Sequence, residues 1–216
     1  MVSYGKDMNK QEQNIRDVEF ICQEVVRFGQ MTMRFAGKGV RAGDGWYGAL
    51  MEQAASLWAL FGQAIDELRD EEKIEELNRR LLDALNWVGQ AVVEPNPAAK
   101  VVKYSAALER LTITGHMDNE IEKTVIQRTT FLNKDRTDKT VEQIKEDLGK
   151  LYQCRSDLMH GSMSPYSPEV SGVLNIAWEA CRWAILNAAQ LFACLRANGN
   201  IGRKDLQAAY VVALSE

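Results

Sequence analysis

The sequence predicts an all-α protein, a bundle of seven or eight helices. Three observations carry that expectation. Apolar residues recur at steps of three and four over most of the chain. No segment shows a convincing run of the apolar/polar alternation that a half-buried strand requires. Only four prolines interrupt the 216 residues, which leaves room for long helices. Hydrophobic residues make up 46% of the chain, enough for a core in one large domain or two small ones.

Val18, Ile21, Val25, Phe28 and Thr32 trace a first helix, from about residue 9 to 35. Gly37, Gly39, Gly43, Gly45 and Gly48 break it. No strand precedes this cluster and no Gly-Lys-Ser/Thr closes it, so it reads as a helix connection rather than a phosphate loop. A second helix runs from about Trp46 to Arg69, with Ala54, Trp58, Phe61 and Ile65 as its buried face. The third spans about Glu72 to Val93, along Ile74, Leu77, Leu81, Leu85 and Val88. Pro95 and Pro97 end it and mark the expected boundary. Residues 1–95 then form an N-terminal helical region and 98–216 a second helical domain, or the two run together as one.

A helix over Val101 to Ile113 follows, with a turn at Gly115. Asp118 is the candidate cap for the next, which carries Ile121, Val125 and Leu132. Residues 133–138 are polar and read as a loop. The helix from Thr140 to His160 ends at Gly161, and a Ser- and Pro-containing connection leads to Pro168. Val170 to Arg196 is long and very apolar, with Trp178, Trp183, Leu186, Leu191 and Leu195. It is either core or a dimer surface. Asn198-Gly199-Asn200 closes it, and Arg203 to Leu214 forms a last short helix.

The formal charge of -4 and pI near 5.4 exclude a surface that is basic throughout, though a local basic site is compatible with them. Cys22, Cys154, Cys181 and Cys194 form no CxxC pair, and with two histidines they do not complete a zinc set. They read as buried thiols of a reducing compartment. No metal or other cofactor is expected. The N-terminus lacks a signal-peptide pattern, and no stretch approaches the ~20 apolar residues of a membrane span. The expectation is a cytoplasmic protein.

The segment Leu151-Tyr152-Gln153-Cys154-Arg155-Ser156-Asp157-Leu158-Met159-His160-Gly161 carries the chemistry. Val141, Ile144, Leu148 and Leu151 recur at helical spacing, and Arg155 and Leu158 are the next members of that series. An arginine thus stands where the pattern asks for a core residue. An uncompensated buried guanidinium is very costly, so Arg155 must pair with an acid such as Glu109 or Asp157, line a cavity, or face a partner subunit. His160 is one of two histidines. Imidazole as a class exchanges protons near neutral pH, while a histidine in the last turn also complements the helix dipole. Ser156, four residues earlier, shares its face. An ideal helix sets Arg155 and His160 about 140° apart, so the two meet one ligand only across the helix tip or after the last turn unwinds. The other histidine, His116, follows Gly115 and reads as a surface residue.

Tyr152, Arg155-Ser156 and His160-Gly161 resemble the arginine–histidine signature of the HEPN superfamily, closest to its Apea-like branch. Upstream, Ala107-Leu108-Glu109-Arg110-Leu111 and then Arg128 are similar to that branch's earlier segments, so the resemblance covers about residues 100–197. It implies an up-down helical core in the C-terminal half. It also implies a homodimer in which two arginine–histidine pairs face one cleft, and a metal-independent endoribonuclease leaving 2′,3′-cyclic phosphate ends, in a toxin or phage-defence setting. His160 is then the general acid/base, Arg155 the phosphate clamp and Ser156 the residue that orients the imidazole. Tyr152, Glu109 and Arg128 support the site or touch substrate. Ser156 departs from the amide or acid that often follows the arginine in nuclease members. The other reading is a non-catalytic HEPN-like module that dimerises or binds a nucleotide or RNA. A further protein partner, or a place within a larger assembly, fits either.

Overall fold

Seven helices among the described residues account for most of the chain in the computed structural model, which describes residues 21–28, 31–36, 48, 52, 55–67, 74–115, 120–136, 138–199 and 202–215. They are α1 (Ala55–Glu67), α2 (Glu76–Val93), α3 (Pro97–Thr112), α4 (Ile121–Leu132), α5 (Val141–Met159), α6 (Pro168–Ala197) and α7 (Arg203–Ser215). The all-α class therefore holds, with one local departure. The chain divides into two compact units, Met1–Ser56 and Leu57–Glu216.

That departure lies in the first unit, where the expected helix over residues 9–35 is replaced over 21–28 and 31–36 by an antiparallel ribbon. Strands β1 (Ile21–Phe28) and β2 (Met31–Ala36) pair with Phe28 opposite Met31 and Ile21 opposite Ala36, with a register irregularity between Cys22 and Val26. The residues explain the correction. Met31-Thr32-Met33-Arg34-Phe35 alternates with period two, Val25 and Val26 are β-branched, and a helix through this stretch would carry Gly29 in its interior. Gly37, Gly39, Gly43 and Gly45, together with His116, Asp118 and Ala54, lie outside the described residues.

In the second unit α3 and α6 form the hub. α3 touches α2, α4, α5 and α6, and α6 also touches α2, α4, α5 and α7. The small residues Ala177, Ala180, Cys181, Ala184 and Ala188 line the buried face of α6 and permit close approach of its neighbours. The apolar richness of α6 is thus mainly core. Trp178 is its one large apolar side chain with substantial exposure, tilted against Tyr104 with ring centroids 6.3 Å apart. Ile65, expected on the buried face of α1, is exposed; Ala64 is the buried residue there.

The compact units do not part at the prolines. Pro97 stands at the first turn of α3, where its missing N–H costs nothing. Asn96 caps that helix, its Oδ1 accepting the Ala99 N–H at 3.1 Å. Glu94 to Asn96 turn a corner within one unit, and α2 packs along α3 on the far side.

α5 is fixed at both ends. Thr140 and Gln143 form a capping box: the Gln143 N–H donates to Thr140 Oγ1, and the Thr140 N–H to Gln143 Oε1. At the other end Gly161 takes φ of 72°. Its N–H donates to the Leu158 carbonyl at 3.4 Å, while the Ser162 N–H donates to the Asp157 carbonyl at 2.8 Å. Together these bonds are the Schellman closure. A Cβ at residue 161 meets open space, so the cost of Gly161→Ala is the left-handed backbone itself. We expect that variant to lose about 1–2 kcal/mol of stability, read as a lower urea midpoint with an unchanged slope. No helix among the described residues is long and apolar enough to cross a membrane.

Candidate functional site

The site is built outward from the end of α3, whose last carbonyls are turned into the protein and would be orphaned without donors. Each has one. The Glu109 carbonyl accepts the Ile113 N–H at 2.9 Å. Arg80 Nη1 donates to the carbonyls of Arg110 at 3.0 Å and Ile113 at 2.6 Å. The Tyr210 hydroxyl donates to the Leu111 carbonyl at 3.2 Å, and Arg128 Nη1 to the Thr112 carbonyl at 2.6 Å. Two guanidiniums therefore sit at the negative end of the α3 dipole. Both are buried, Arg80 at 3% exposure and Arg128 at 5%, and burial pulls the Arg80 guanidinium below its ordinary pKa. Arg128 also lies over the Tyr210 ring, 5.1 Å from its centroid, and reaches Thr114 Oγ1 at 3.1 Å.

Arg128 thus braces α3. Its effect on the site passes through Glu109, the residue of α3 that meets α5. Glu109 Oε1 forms an ion pair with Arg155 Nη2, 3.2 Å away, and accepts a hydrogen bond from the Tyr152 hydroxyl at 3.3 Å. Tyr152 is buried. Burial first, and the Glu109 carboxylate second, push its phenol far above the ordinary range, so Tyr152 stays a neutral donor. The Arg155 and Glu109 side chains are 33% and 27% exposed, so this ion pair between α3 and α5 is partly open to solvent. A pair so open to water contributes at most about 1 kcal/mol. Of the three fates open to Arg155, pairing with an acid is the one observed, and the acid is Glu109. Asp157 is engaged by Gln153 Nε2, 3.0 Å from each carboxylate oxygen.

His160 is the C-cap of α5 and is exposed. Its backbone, at φ −91° and ψ 0°, stays in the right-handed region, and its N–H donates to the Ser156 carbonyl at 3.0 Å. α5 therefore does not unwind between Arg155 and His160. Regular helical turning leaves the imidazole at the helix tip and the guanidinium on the side facing α3. Ser156 holds His160 through this backbone bond, and no hydrogen bond joins the two side chains. The structure brings Glu109, Tyr152 and Arg155 together, sets His160 one turn further along at the tip, and leaves Arg128 behind α3.

Three residues near the site escaped the sequence reading. Arg80 falls in the stripe formed by Leu77, Leu81 and Ala84, the same misplaced-charge signal that exposed Arg155. Met159 and Tyr166 flank His160 in sequence and are 57% and 91% exposed; as isolated apolar letters beside a turn they carry no periodic signal. Among the described residues, no group of three or more His, Cys, Asp or Glu stands together in a way that could hold a metal ion. Cys154 and Cys181 are buried free thiols, their pKa values raised by burial, and Cys194 is an exposed one. Comparison with protein-family models, curated proteins and solved structures finds no match to this chain.

Proposed function

We propose that this chain is a metal-independent endoribonuclease of the HEPN type, working in the cytoplasm as a homodimer, in a toxin or phage-defence setting. The observation that carries the reading is an arginine one-third open to solvent on the same helix as an exposed histidine cap. RNA brings its own nucleophile, the 2′-hydroxyl. An exposed imidazole can take that proton or protonate the leaving 5′-oxygen. A guanidinium open to solvent can take the phosphate and stabilise charge growing on its oxygens.

The α5 geometry gives the homodimer a physical role in this scheme. Arg155 and His160 of one chain project to different sides, so a phosphate gripped by one arginine is served by an imidazole at the helix tip or by that of a second copy. The test is cleavage of single-stranded RNA in excess EDTA by the intact protein and by its His160→Ala variant. Cleavage that depends on His160 supports the reading; equal rates refute it.

The Arg155–Glu109 ion pair favours a second reading, a non-catalytic HEPN-like module in which the motif residues hold an assembly or bind a nucleotide. In that case Arg155→Ala changes oligomeric mass or nucleotide affinity while RNA stays intact.

A further inference from the structure

Arg155 Nη2 and Glu109 Oε1 stand 3.2 Å apart as an ion pair whose two side chains are 33% and 27% exposed. The same oxygen, Glu109 Oε1, also accepts from Tyr152. Tyr152 is anchored in the core at 3% exposure, so it fixes the carboxylate from the protein side. The Arg155 side chain on the other side of that contact is one-third exposed. The rest of the guanidinium edge has no hydrogen bond or ion pair to the described residues and lies where an anion from solvent can reach it. Any such anion arrives within a few ångströms of the Glu109 carboxylate and is repelled by it.

We propose that Glu109 is an internal competitor for Arg155, a built-in anion that occupies the guanidinium and weakens phosphate binding until a correctly seated substrate outcompetes it. The proposal rests on the reading of Arg155 as a phosphate clamp and adds a sign that the clamp alone does not have. A carboxylate that merely supports the arginine makes the site weaker when it is removed. A competing carboxylate makes it stronger. Glu109 is in this sense a regulating residue, and Tyr152 the positioning residue that keeps its carboxylate in place. The arrangement suits an enzyme whose unrestrained action on cellular RNA is harmful, because adventitious single phosphates do not displace an anion tethered in place.

The experiment uses the full chain and a fluorescent 2′-O-methyl oligouridylate, which keeps the phosphates and lacks the nucleophile, so affinity is read without cleavage. Glu109→Gln keeps the shape and the hydrogen-bond acceptor and removes the charge. It is expected to bind about tenfold more tightly than the unaltered protein, the effect of removing one like charge a few ångströms from the bound phosphate in a partly screened setting. Glu109→Asp, which draws the carboxylate back by one methylene, falls between the two and decides the matter if the glutamine variant does not fold. Arg155→Ala binds weakly, and adding Glu109→Gln to it restores nothing. Equal or weaker binding by the Glu109 variants, with Arg155→Ala still impaired, overturns the competitor role and leaves the clamp standing. Undiminished binding by Arg155→Ala removes the clamp itself, and the competitor with it.

Discussion

Replacing His160 with alanine is expected to slow RNA cleavage by about 10²–10⁴-fold, the range a positioned general acid or base supplies. The fold does not depend on this side chain. His160 is exposed at the C-cap of α5, and its backbone angles suit any L-residue. The bonds that close the helix run through the main chain of residues 156–162. The variant should therefore keep its stability to within about 0.5 kcal/mol, as surface substitutions generally do. The loss should appear in single-turnover rates at saturating protein, which separates chemistry from binding. A variant that cuts at the original rate contradicts the role of His160. One that unfolds contradicts the structural account of the cap.

Arg128→Ala is expected to be the most damaging single change to stability near the site, costing about 3 kcal/mol or more. It leaves the Thr112 carbonyl without its donor, removes the cation over Tyr210 and opens a void at a position that is 5% exposed. For a unit of this size the loss corresponds to a fall of about 6–12 °C in melting temperature. Because α3 carries Glu109, cleavage should decline together with folded fraction, not ahead of it. A fall in activity with full stability would instead place Arg128 on the substrate.

Arg155 shows how far the sequence reaches into this site and where it stops. A charge in an apolar stripe demands compensation, and the need for a partner was readable from residues 141–158 alone. Which acid answers is not written in any spacing, because Glu109 lies on another helix; the sequence left Glu109 and Asp157 both open, and the ion pair decides for Glu109. The role of Arg128 was less accessible still. Its partners are backbone carbonyls, which have no letter in the sequence, and the need for donors at the end of α3 follows only from that end being turned inward. Pro97 illustrates a local ambiguity: the same residue ends a helix from inside and begins one at its first turn, and the Asn96 cap decides between them. In residues 21–36 two periodicities overlap, and the alternating one prevails. Val141 continues the α5 stripe yet is 47% exposed, as the first three residues of that helix are all open to solvent.

In the proposed reaction Arg155 and His160 act on RNA through its own 2′-hydroxyl. The most direct measurement is the chemistry of the ends left when the purified chain is incubated with single-stranded RNA in EDTA. The expected result is 2′,3′-cyclic phosphate on the upstream product and a 5′-hydroxyl on the downstream one, both absent when every 2′-position is methylated. A 5′-phosphate and 3′-hydroxyl, cleavage only after a divalent metal is restored, or RNA left intact would contradict it.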